Sequence, residues 1–117
     1  MSLVYGLAAY RAQDWTTARA AFAAARAAGG VYAPYGQYME ALTAIAGDTT
    51  HAAAALDELR PLTNVATGAF GDQVRLTAAE VAFEAGQYEA AARYAAAVSP
   101  ASGLAAQALL TRAWALY

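Results

Sequence analysis

The chain has no cysteine and no lysine among its 117 residues, and a single histidine, His51. Without cysteine there is no disulfide, no thiolate metal site and no thiol nucleophile, and cysteine usage leaves the compartment open between cytoplasm and periplasm. Without lysine, the positive charge rests on seven arginines, set against nine acidic residues that are mostly scattered singly, for a formal net charge of −2. No basic face exists that would neutralise a run of phosphates, so nucleic acid is not an expected partner. Every apolar stretch is broken by Gly, Arg or Asp before it reaches about 18 residues, so membrane insertion is not expected either. No basic, apolar leader with a small-residue cleavage site opens the sequence. Proline is confined to Pro34, Pro61 and Pro100, which leaves long stretches free to be helical.

What fills that space is alanine, the best helix former, in a chain that is 60% hydrophobic. The length suits one domain over residues 1–117, and the composition predicts an all-α fold. Residues 5–26 read as two short helices around a polar turn at Gln13-Asp14, with Asp14 placed to cap the second helix and Gly29-Gly30 to end it. The same landmarks return 34 residues later, where Asp14 falls on Asp48, Ala18 on Ala52 and Phe22 on Leu56. A recurrence at that scale is the mark of stacked helical hairpins. The units run over about 3–30, 33–61 and 72–99, with an unpaired or capping helix at 102–117. Between the second and third, residues 62–71 predict a connecting loop: Arg60-Pro61 stops the preceding helix, and the stretch is rich in turn formers. Gly47-Asp48 and Gly86-Gln87 repeat the turn between helices, and Tyr117 falls where Tyr10 and Phe83 fall in their own units. Both ends of the chain read as helix, which leads to the expectation of a longer parent protein.

These features resemble the tetratricopeptide repeat, whose pattern is W-x2-L-G-x2-Y in the first helix followed by an alanine, an aromatic and a proline. The matching positions are Tyr5-Gly6, Trp15, Ala18, Phe22 and Ala25 in the first unit and Gly47-Asp48, Ala52, Leu56 and Leu59 in the second. In the third they are Ala78-Ala79, Gly86, Tyr88, Ala91, Ala95 and Val98. Glu40 departs from the pattern where a small residue is usual, Ala9, Thr43 and Ala82 depart where an aromatic is usual, and Arg112 stands where a leucine is expected. The resemblance implies a right-handed α-solenoid of antiparallel helix hairpins, about three and a half units and seven helices in all. The alanine-rich, lysine-free repeats look bacterial.

The residues offer little for catalysis. His51 has no second histidine or cysteine to complete a metal site and reads as an exposed helix residue. Glu80 and Glu84 lie on one helical face, a spacing more usual for solvated surface carboxylates than for an acid/base pair. No phosphate-binding loop or Ser/His/Asp order can be assembled. The expectation is a protein that is not an enzyme and carries no cofactor or metal. The resemblance implies a scaffold that binds a partner peptide or protein in a concave groove, lined here by Leu7, Tyr10, Arg11, Tyr38, Ala41, Ile45, Thr77, Glu80, Glu84 and Trp114. That lining, part apolar and part acidic, suits an apolar or weakly basic peptide. A clamp for a C-terminal carboxylate is disfavoured, because the chain has no lysine and its one asparagine, Asn64, sits in the expected loop. The alternative is a structural or self-assembling segment. In that reading the Leu3-Val4-Tyr5 start and Leu104, Leu109, Leu110, Trp114 and Leu116 of the last helix expose apolar ends that pack on further repeats or form a homo-oligomer.

Overall fold

The computed structural model describes residues 3–46 and 49–116. Gly47, Asp48 and Tyr117, for which the sequence predicts a turn and an aromatic landmark, lie outside the described residues. Within them the chain is helical and contains no strand: α1 (Leu3–Arg11), α2 (Trp15–Ala28), α3 (Ala33–Ala46), a 3-10 turn at Thr49–His51, α4 (Ala52–Val65), α5 (Gly68–Glu84), α6 (Tyr88–Ala96) and α7 (Ala105–Leu116). No helix among the described residues is long and apolar enough to cross a membrane. Length alone points to one domain, whereas the contacts of the folded chain divide it into two compact units, Met1–His51 and Ala52–Tyr117.

In the first unit α2 packs against both α1 and α3. Ala18, Ala21 and Phe22 are fully buried on α2. The small residues Gly6 and Gly36 let the neighbouring backbones approach: a Cβ at Gly6 would stand 2.7 Å from Phe22 Cε1, and one at Gly36 would stand 3.0 Å from the Arg26 backbone nitrogen. Glu40, which the repeat pattern marks as out of place, is only 6% exposed. Its carboxylate lies 3.3 Å from an Arg26 guanidinium nitrogen, so the paired charge offsets part of its desolvation.

The second unit is built on α5, which packs against α4, α6 and α7, and α7 packs in turn against α6. Leu76 and Ala79 of α5, Ala95 and Val98 from the α6 end, and Ala108 of α7 form its core cluster, with Tyr94 and Leu104 packed beside it. Leu104 is therefore partly covered, unlike the other apolar residues expected to be free on the last helix.

The largest difference from the sequence lies at 62–71. That stretch is helical except for Ala66-Thr67, because α4 continues through Pro61 to Val65 and α5 begins at Gly68 rather than near Gln73. Asn64 is accordingly on α4 and not in a loop. Proline removes one helical hydrogen bond, but two distant interactions hold the turn beyond it. Leu62 is buried at 3% exposure, and the Arg75 guanidinium donates to the carbonyls of Ala66 at 3.1 Å and Thr63 at 3.4 Å, groups that a helix end leaves unsatisfied.

Two helix junctions, 73 residues apart, share one local geometry. After α1, the Asp14 amide donates to the Ala9 carbonyl at 2.9 Å and the Gln13 amide to the Tyr10 carbonyl at 3.0 Å. After α5, Gln87 donates to Ala82 at 2.8 Å and Gly86 to Phe83 at 3.0 Å, which is the same Schellman pattern. Each junction also carries an edge-to-face ring pair, Tyr10 with Trp15 at 5.1 Å and Phe83 with Tyr88 at 5.3 Å. They differ at the left-handed position: Gly86 has φ 77°, whereas Gln13 holds φ 62° with a side chain that disfavours it. Gln13→Gly is expected to stabilise the protein by about 0.5–1 kcal/mol, read as a rise in the urea midpoint at unchanged slope.

Candidate functional site

Phe83 and Glu84 lie three and four residues after Glu80 along α5, so both neighbour it on one side of that helix. Thr111 and Trp114, three apart on α7, face them, and the five side chains line an open cleft of about 400 Å³. Burial explains why these residues bound a surface. Most of α5 from Val74 onward is committed to packing, with Val74, Leu76, Thr77, Ala78, Ala79, Val81 and Ala82 all at or below 5% exposure, while Glu80 and Glu84 are exposed. Trp114 is 61% exposed, a large amount of indole left in water.

The walls of the cleft are held in place by local bonds. The Phe83 ring is fixed edge-on against Tyr88. The Gln107 amide nitrogen donates to Glu80 Oε2 at 3.2 Å, tying α7 to α5 at the edge of the cleft, and the Thr111 hydroxyl donates to the Gln107 carbonyl at 3.0 Å. Among the described residues no arginine lines the cleft. Arg112, on the same helix as Trp114, lines instead a depression of about 360 Å³ between α6 and α7, together with Val98, Pro100 and Leu109. Among the described residues, no group of three or more His, Asp or Glu side chains is placed to hold a metal ion. His51 is exposed.

Of the ten residues expected to line a groove, three come together here: Glu80, Glu84 and Trp114. Three others are taken into the interior, with Tyr38 and Thr77 at 5% exposure and Ala41 at 0%, so none of them offers a surface to a partner. Thr77 accepts a hydrogen bond from the Gln73 side-chain amide at 3.3 Å instead. The remaining four belong to the first unit. Leu7 and Ile45 are half-buried, Tyr10 is half-buried with its ring against Trp15, and Arg11 is exposed at the end of α1. The sequence reading missed Phe83 and Thr111. Both were within reach of helical spacing, Phe83 three residues after Glu80 and Thr111 three before Trp114.

No family model, curated protein or solved structure matches the chain.

Proposed function

We propose that this chain is a protein-interaction module that holds a peptide or protein partner in the cleft between α5 and α7. The observation that carries the proposal is the Trp114 indole, 61% exposed beside two carboxylates in an open cleft of about 400 Å³. Exposed aromatics of this kind supply large contact area at little rotamer cost and are enriched where partners bind. The same reading takes the helices as tetratricopeptide repeats in a right-handed solenoid. It is supported by the 34-residue recurrence in the sequence and by the junction geometry that returns after 73 residues. In this reading the mechanism is the tethering of a partner.

The test is a selection from a displayed library of short peptides, followed by titration of the selected peptides against the purified chain. Trp114→Ala should lower their affinity at least tenfold, on the order of what a well-packed aromatic anchor contributes, with the helical circular dichroism unchanged. Selected peptides that bind the wild type and Trp114→Ala equally would overturn the cleft assignment.

A second reading, self-assembly through α7, is favoured by Leu109, Leu110 and Leu116, which are 68%, 59% and 65% exposed on one short helix. Such density of exposed leucine marks a surface that packs on something. Light scattering that gives a strict monomer at high concentration would remove this reading and leave the first untouched.

A further inference from the structure

We infer that the occupant of the α5/α7 cleft is an arginine side chain presented by the partner segment. This inference rests on the binding-module reading above and adds the chemistry of the ligand. Three features converge on a guanidinium. The cleft holds two carboxylates one helical turn apart, Glu80 and Glu84, and among the described residues its lining contains no cation to balance them. Like charges at that spacing repel mildly, so the pair is unfavourable until a positive group arrives. The arginines of the second unit are engaged or placed elsewhere: Arg60 is paired with Asp57, Arg75 with Asp72, and Arg112 lines the depression between α6 and α7. Arg93 is likewise absent from the cleft lining.

Shape selects among cations. Trp114 and Phe83 give the cleft aromatic walls. A guanidinium is planar and weakly hydrated, stacks on an indole face and forks its N–H donors toward carboxylate oxygens, whereas an ammonium is a compact and strongly hydrated point charge. The volume of about 400 Å³ is near the small end of ligand sites, room for one long side chain and its neighbouring backbone rather than for a packed helix. Glu80 is already steadied by Gln107 at 3.2 Å, which orients one carboxylate before any ligand binds.

The experiment uses the full chain and a matched set of fluorescein-labelled peptides in a Gly-Ser-Ala background, each with one central residue: arginine, lysine, citrulline or leucine. Citrulline keeps the shape of arginine and removes the charge. The arginine peptide should bind about tenfold more tightly than the citrulline peptide and several-fold more tightly than the lysine peptide, with an affinity that falls as salt rises. Glu84→Gln should remove most of the arginine advantage while changing citrulline binding far less; Glu80→Gln, which keeps an acceptor for the Gln107 amide, should do the same. Both glutamates are exposed, so these variants keep the fold, and circular dichroism checks that they do. Equal binding of the arginine and citrulline peptides, or an arginine advantage that survives Glu84→Gln, would overturn the inference. The two failures separate cleanly. If the citrulline and leucine peptides bind as well as arginine and lose affinity in Trp114→Ala, the cleft binds peptides but does not select arginine; if no peptide binds, or binding ignores Trp114→Ala, the binding-module reading fails as well.

Discussion

Replacing Asp72 by alanine is expected to destabilise the second unit by about 3–4 kcal/mol, more than any surface substitution in the chain. Asp72 is 7% exposed and its Oδ1 serves two partners. It accepts from the Ser99 amide at 3.0 Å, in the connection between α6 and α7, and from Arg75 Nη2 at 3.3 Å. The other terminal nitrogen of Arg75 reaches the last carbonyls of α4. One carboxylate therefore ties three places in the unit: the end of α4, the start of α5 and the entry to α7. Alanine would leave a mostly buried guanidinium without its counter-charge, and its Nε already lacks a hydrogen-bond partner among the described residues. The Ser99 amide would lose its acceptor too. Asp72→Asn keeps an acceptor for Ser99 but not the charge, and should cost about half as much. The loss should appear as a fall in the thermal midpoint of roughly 10–20 °C for the alanine variant. Amides of the last turn of α4 should also exchange faster, because Arg75 is no longer held over their carbonyls. A midpoint within a few degrees of wild type for Asp72→Ala would show that the network is not coupled in this way.

That network also explains the main error of reading the fold from sequence. Helix identity is local: alanine content, the Asp14 cap and the Gly29 stop place α1, α2 and α3 within a residue or two of where periodicity puts them. The turn after Pro61 is held by Arg75, which lies nine positions beyond Ala66 and twelve beyond Thr63 and donates to both of their carbonyls where α4 ends. No window of sequence around 62–71 contains that information. Gly71 belongs to the same arrangement. A Cβ there would meet the Ala66 carbonyl oxygen at 2.5 Å, so α5 begins only because glycine lets it pass over the end of α4.

The candidate site was legible to the extent that polarity marks an outer face. Glu80 and Glu84 are exposed because charges four apart on a helix surrounded by alanine, valine and leucine have only one side to occupy. Tyr38, Ala41 and Thr77 were misplaced because α3 and α5 carry apolar or small residues nearly all round, and periodicity alone does not say which side is covered. On α3 the buried set runs from Gly36 through Thr43 and includes a carboxylate, Glu40. Burial there is set by the packing of neighbours, not by the pattern of the helix itself.

The contact between Gly6 and Phe22 makes the pairing of small against large directly testable, through a change of sign. Phe22 is fully buried, and Phe22→Ala should cost about 3–5 kcal/mol, the usual loss for removing a buried ring. Gly6→Ala in the wild type should cost about 1–3 kcal/mol, although alanine is the better helix former, because its Cβ would stand 2.7 Å from Cε1 and 2.9 Å from Cδ1 of a ring with no free space to turn into. Once the ring is gone, the same substitution meets no clash, fills part of the void and recovers the helix propensity that glycine gives up. In the Phe22→Ala background, Gly6→Ala should therefore stabilise by about 1 kcal/mol. The double-mutant cycle then closes with a coupling of about 2–4 kcal/mol, well above the few tenths expected of independent sites. Urea unfolding of the four variants measures it, and additive costs would mean that Gly6 is retained for some reason other than the ring that covers it.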